Sequence, residues 1–313
     1  MPNPRLAMHP HITHLISETD YCVRFISGRA ALDCLLNHMP DIRRAFIPLF
    51  TCDTVLEPFV LRGIPVQRYL INEDLSPILP INAEKSDLLL LTNYFGFTCQ
   101  QVKTAAADFP GISIIDATTA LYSAPPDNTS CFYSPRKFCD SPTGGLALAH
   151  FPLSKLPPKD KQDSQQWLQA IAHHNKQMQV ICCERALRHR IDRLSSPDSA
   201  RWNNVDWQAD ARQRLHNYAI LHAQLKSINR LRLPEIPSSA PMCYPLLSGI
   251  PLLRDDLADA GLHLPLFWPE VIRRTTAADW ENYLARNLLP LPLGPNMSEA
   301  NICRMAQLIL YSS

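Results

Sequence analysis

Apolar positions in the first half of the chain fall alternately into short runs and into helical spacing. CVRFIS (22–27) predicts a strand, and GRAALDCLLNHM (28–39) places its apolar residues at helical intervals. AFIPLF (45–50) predicts a second strand, TCDTVLEPFVLRG (51–63) a helix stopped by Gly63, and PVQRYLI (65–71) another strand. LLLLT (88–92) is fully apolar over the length of a buried strand. QQVKTAAADFPG (100–111) predicts a helix closed by Pro-Gly, and SIIDAT (113–118), TSCFYS (129–134) and GGLALAHF (144–151) predict three further strands. Buried strands that do not alternate, separated by helices, predict an α/β fold: a mainly parallel central sheet with helices on both faces.

The texture changes near 152. FPLSKLPPKDKQDSQQ is proline-rich and charged, as a surface connection would be. WLQAIAHHNKQMQVICCERALRHRI (167–191) and DWQADARQRLHNYAILHAQLKSI (206–228) each have the length and spacing of one helix, with SSPDSARWNN as a polar break between them. Beyond 229 come short apolar segments such as MCYPLLSG (242–249), a helical DDLADAGL (255–262) and a final helix SEANICRMAQLIL (298–310). The expected organisation is a large α/β domain over 1–195 and a smaller C-terminal α+β domain over 196–313. Two domains suit a chain of 313 residues, since domains commonly run to about 100–200 residues.

Composition removes several classes of function. Lys plus Arg is 30 against 29 for Asp plus Glu, so no excess positive charge favours nucleic acid or an anionic membrane surface. No apolar run approaches the roughly 20 residues that span a bilayer, and MPNPRLAMHPHITHLISETD lacks a signal peptide's apolar core. A cytoplasmic location is therefore expected. The ten cysteines include no C-x-x-C pair, and Cys182 and Cys183 are adjacent. Cys22, Cys34, Cys99, Cys131, Cys243 and Cys303 sit among apolar neighbours, so reduced, mostly buried thiols are expected rather than disulfides or a metal site.

In a doubly wound sheet ligands bind beyond the carboxyl ends of the strands, which singles out four places. Ser27-Gly28-Arg29-Ala30-Ala31 turns a strand into a helix, and free N–H groups at such a turn suit an anion, with Arg29 as a forked donor. Asp116 closes a buried strand and needs a partner there, whether as a helix cap, in an ion pair or on a ligand. Lys137 follows a strand within CFYSPRKFCDSPTGG, ahead of Gly144-Gly145, and by itself reads as a solvated surface charge. Asn93 in LLLLTNYFG offers an amide to a ring hydroxyl or to its own turn. A lysine, a carboxylate and a helix N-terminus together are what pyridoxal phosphate (PLP) needs.

The order SGRAAL, NYFG, DAT, SPRK, GG resembles the DegT/DnrJ/EryC1/StrS family of sugar aminotransferases, PLP enzymes of fold type I. The likeness rests on Ser27-Gly28, Pro48-Leu49-Phe50-Thr51, Asp116, and Ser134-Pro135-Arg136-Lys137 before Gly144-Gly145. It covers residues 20–150 well, returns in LLPLPLGPNMSEANICRMAQLIL and fades over 150–240.

The resemblance implies that Lys137 holds the cofactor and that Asp116 partners the pyridine nitrogen. It further implies that Gly28, Arg29, Ala30 and Ser134 hold the phosphate, while Asn93 reaches the ring hydroxyl. Arg29 stands where many members have a hydroxyl residue, Cys52 where many stack an aromatic ring on the cofactor, and Thr119 where many carry glutamine. The implied activity moves an amino group from a donor such as glutamate to a keto sugar, nucleotide-linked, in a homodimer. Other readings remain open here: a non-catalytic homologue acting as a binding or partner subunit, and a doubly wound protein with another phosphate ligand. A PLP-dependent sugar dehydratase, with histidine in place of the lysine, is opposed by Lys137.

Overall fold

The computed structural model describes residues 17–311, apart from residues 81, 140, 175, 251 and 252. Most of the N-terminal stretch considered above for a signal peptide, residues 1–16, lies outside them. The large sheet is built from β1 (Cys22–Phe25), β2 (Arg44–Pro48), β3 (Val66–Tyr69), β4 (Asp87–Thr92), β5 (Ile112–Ala117), β6 (Ser130–Tyr133) and β7 (Gly145–Leu148). Its seven strands run in the order β1-β7-β6-β5-β4-β2-β3. Neighbours from β3 through β6 pair in parallel. β7 lies antiparallel to both β1 and β6, so the sheet is mainly, not wholly, parallel.

Both faces are buried, as the unbroken apolar runs predict. In β4, Leu89 and Leu91 enter one core cluster and Leu88 and Leu90 the other, the alternation a strand imposes. All four are 0% exposed, and each such side chain contributes about 1.5–3 kcal/mol of burial. α1 (Gly28–Asn37), α2 (Glu57–Leu61) and α3 (Cys99–Asp108) connect the strands. The helix expected over 51–63 is shorter, with a 3₁₀ turn at Asp53–Leu56 leading into α2.

Two expectations about the middle region are corrected. The single helix over 167–191 is two, α4 (Gln165–Ala170) and α5 (Lys176–Ala186), with turns at 171–173. His173 and His174 fall at this break, where histidine's low helix propensity gives the chain little reason to continue. The polar break SSPDSARWNN is itself largely helical, as α6 (Ser196–Asn203). Ser195 caps it by accepting from Asp198 N, and proline occupies its first turn, where the missing N–H costs nothing. The expected boundary at 195/196 thus falls at a helix cap.

α7 (Trp207–Leu225) starts at Asp206, whose side chain accepts from Ala209 N. β8 (Cys243–Leu247), α8 (Leu253–Asp259), α9 (Pro269–Arg274), α10 (Trp280–Asn287), β9 (Leu288–Pro292) and α11 (Glu299–Tyr311) complete the chain. β8 and β9 pair antiparallel. Tyr218, Leu221 and Leu225 of α7 pack with Leu246, Leu291, Ile302 and Ile309 into a third core cluster. Among the described residues no helix is long and apolar enough to cross a membrane.

Candidate cofactor site

A cavity of about 730 Å³ opens where β1, β5 and β6 end, and the C-terminal elements close its far side. Ser27, Gly28 and Arg29 line it at the start of α1. Ser27 caps the helix through Ala30 N at 3.2 Å, which leaves Gly28 facing the cavity. A Cβ at Gly28 would stand 3.2 Å from Thr118 Cγ2, so glycine lets the turn approach the end of β5. Gly145 permits a tighter approach, since a Cβ there would meet Ser27 O at 1.9 Å.

Asp116 is the penultimate residue of β5 and is 6% exposed. Its Oδ1 accepts from Thr118 N at 2.9 Å. Burial raises its pKa, against the pull of Lys137 and of the Thr118 hydrogen bonds. Ser134 follows β6, and Pro135–Lys137 form a 3₁₀ turn with Lys137 N bonded to Ser134 O at 3.0 Å. Proline's fixed φ suits the first position of that turn. Lys137 Nζ donates to Thr118 Oγ1 at 3.1 Å. The lysine is exposed to the cavity, and desolvation by the protein packed around it lowers its pKa while Asp116 works to raise it.

Cationic groups collect beside the Ser27-Gly28 turn. Arg29 Nη1 meets Glu57 Oε2 at 2.8 Å, and Arg136 Nη2 donates to Glu184 Oε1. Arg29 Nη2 and Arg136 Nε are buried without a hydrogen-bond partner. The Arg29 and Arg136 guanidiniums, already in ion pairs with Glu57 and Glu184, a helix N-terminus and the Ser134 hydroxyl, which donates to Gly144 O at 3.3 Å, are together the donor types that suit a phosphate. With the Lys137 amine and the Asp116 carboxylate in the same cavity, the residues present fit PLP.

The structure thus gathers Lys137, Asp116, Gly28, Arg29, Ser134, Cys52 and Thr119 around one cavity. Ala30 does not line it; its contribution is the N–H that Ser27 caps. Asn93 does not line it either: its Oδ1 accepts from Thr98 N at 3.3 Å and its Nδ2 faces Cys99 Sγ at 3.2 Å, which closes the turn after β4. The Thr119 hydroxyl is held by Asn93 O at 3.1 Å and Phe95 N at 3.2 Å. Cys52 contacts Thr54 Oγ1 at 3.1 Å, and burial raises its pKa, which favours the neutral thiol.

Several lining residues escaped the sequence reading. Thr118 has a local signal, an Asp two residues earlier that forms an Asx-type turn. Glu184, Arg214, Phe267 and Trp268 have none, because they arrive from distant segments. Arg214 Nε holds Asp210 at 2.7 Å, and Asp210 also accepts from Tyr122 OH. Trp268 adopts a left-handed conformation, φ 53° and ψ 58°, and packs edge-on against Phe50 with centroids 4.7 Å apart. The helix it opens grips the wall carrying Cys52. Arg274 Nη2 donates to Leu49 O at 2.7 Å and Thr51 O at 2.5 Å, while Glu270 accepts from Asp53 N at 2.8 Å.

The fold is that of fold type I, shared with solved aminotransferase structures. A sugar aminotransferase from Micromonospora echinospora matches with a TM-score of 0.65 over 96% of this chain and 91% of its own, at 14% identity. A DegT DnrJ EryC1 StrS aminotransferase from Brucella abortus matches at 0.64, over 98% and 91%, with 15% identity. An aminotransferase involved in the biosynthesis of pseudoaminic acid in Helicobacter pylori matches at 0.63, over 99% and 97%, with 11% identity. No family model and no curated protein matches the sequence. At these identities the likeness is one of fold.

Proposed function

We propose that this chain is a PLP-dependent aminotransferase that moves an amino group from an amino acid such as glutamate to a keto sugar, nucleotide-linked. The observation that carries this reading is the meeting of Lys137 and Asp116 in one cavity beside a cationic helix N-terminus. The shared fold with solved sugar aminotransferases supports it.

When bound, PLP supplies the electron sink that the reaction needs. Lys137 would hold the cofactor through Nζ and, when freed by the donor amine, would take the proton from the donor's α-carbon onto Nζ and return it to the cofactor's C4′ carbon. The lowered pKa suits this role, because the neutral amine is the base and the nucleophile. The Asp116 carboxylate would keep the ring nitrogen protonated. Arg29, Arg136, Ser134 and the α1 N-terminus would hold the phosphate, and Phe267 and Trp268, which line the same cavity, would limit water there.

A homodimer in the cytoplasm completes the proposal. Val60 and Leu61 of α2, 67% and 62% exposed, line a neighbouring cavity that shares Arg29 and Thr54 with the first, and support a partner surface there. The deciding experiment is an absorbance spectrum of protein purified with PLP, before and after borohydride, with Lys137→Ala alongside. A band fixed by reduction and missing from the variant supports the assignment, and turnover with a keto sugar then identifies the acceptor. A variant that keeps both band and activity would sink it, and a monomer with full activity would remove the dimer.

A further inference from the structure

The two arginines beside the Ser27-Gly28 turn already share a carboxylate. Glu184 of α5 stands with Oε2 3.5 Å from Arg29 Nη2, and its Oε1 accepts from Arg136 Nη2. A carboxylate spanning two guanidiniums makes the same contacts that a phosphate would make at that position. The two anions cannot hold the same donors together, since like charges at this spacing repel strongly wherever water is partly excluded.

Glu184 is also the member of the cluster able to leave. Its side chain is 35% exposed, against 12% for Arg29 and 18% for Arg136. It borders a second cavity of about 570 Å³, on whose rim Arg185, Arg188 and His189 would receive a carboxylate turned outward. Glu57 is held differently. It is 16% exposed and accepts from Arg29 Nη1, from His189 N at 2.8 Å and from His189 Nδ1 at 2.7 Å. It therefore orients Arg29, while Glu184 screens it.

We propose that Glu184 is an internal competitor for the anion site: it bridges Arg29 and Arg136 in the absence of an anion and yields both to the phosphate of an incoming ligand. The identity of that ligand as PLP rests on the function proposed above; the competition itself needs only a phosphate. Glu184 then sets how tightly the site holds its ligand, and the resting protein carries no uncompensated pair of arginines.

The test is calorimetric titration of cofactor-free protein with inorganic phosphate and, separately, with PLP. Glu184→Gln keeps the shape and removes the charge, and should bind phosphate about tenfold more tightly, the effect of one charged contact. Glu184→Asp is too short to span both arginines and should shift affinity the same way, which guards against a folding defect in one variant. Glu57→Gln should weaken binding, because Arg29 loses its support. Unchanged or weaker phosphate binding in folded Glu184→Gln would overturn the proposal and make Glu184 a support for the arginines. Tighter phosphate binding with no Lys137-dependent absorbance band would keep the competition and remove the cofactor assignment. A normal band with affinities unmoved by Glu184→Gln would do the reverse.

Discussion

Arg214 donates from Nη2 to the carbonyl of Phe138 at 3.4 Å, so the residue that follows Lys137 is tied to α7. The same guanidinium reaches Met242 O at 2.8 Å and Asp210 at 2.7 Å, and stands over the Phe138 ring at 4.9 Å. With its nitrogens spent on protein, Arg214 braces the lysine turn. Arg214→Met should destabilise the fold by about 3 kcal/mol, since it strands the buried Asp210 carboxylate. Arg214→Lys keeps the charge and should cost less, about 1–2 kcal/mol, through the lost carbonyl contacts. Urea denaturation of the three proteins measures both.

Lys137 should react with the aldehyde of PLP at lower pH than an ordinary lysine. Its pKa is pulled below 10.5 by burial, so the neutral amine appears earlier as pH rises. The rate of reaction in stopped-flow absorbance should climb with pH to a midpoint below that value. Asp116 opposes the shift, so Asp116→Asn should move the midpoint lower still. A midpoint at or above that of free lysine would contradict the burial.

Gly145→Ala should damage the anion site more than its size suggests. The added methyl would meet Ser27 O at 1.9 Å and Gly28 N at 2.6 Å, both backbone atoms that cannot turn aside. The start of α1 must shift, and phosphate affinity should fall at least about tenfold, as when a charged contact is lost. Calorimetry on the folded variant checks this.

Acid should weaken the sheet through Asp87. Burial pushes its pKa up, but hydrogen bonds from Arg43 and Arg44 win and hold it well below the usual 3.8. A depressed carboxylate contributes stability that is full above about pH 4 and is lost as pH falls further. Asp87→Asn should cost about 1–2 kcal/mol at pH 7 and flatten that acid limb, as read from urea midpoints between pH 2 and 7.

The central sheet was legible in the sequence because its strands are buried on both faces, and a run such as Leu88–Leu91 has no other use. Asp116 and Lys137 drew notice because each lies at or just beyond a strand's carboxyl end, while their pairing, and Ser134, came from the resemblance; the structure brings all three to one cavity. Asn93 obeys the same positional rule and yet turns away, because Thr98 and Cys99 engage its amide locally. The α6 segment carried a Ser-Pro-Asp start signal that its polar composition concealed. Glu184, Arg214 and Trp268 were beyond reach, since nothing in their own neighbourhoods encodes a partner up to 218 residues away, as Phe50 is from Trp268.

The grip of Arg274 on Leu49 and Thr51 has a mechanical meaning. The wall that carries Cys52 and the aromatic wall at Phe267 and Trp268 are fastened into one piece, so neither can yield alone. In the proposed enzyme, a substrate pressing on the aromatics would be felt by a cofactor lying over Cys52, and loosening one would loosen the other. Capture of the second molecule and retention of the first would then be a single property of this fastening.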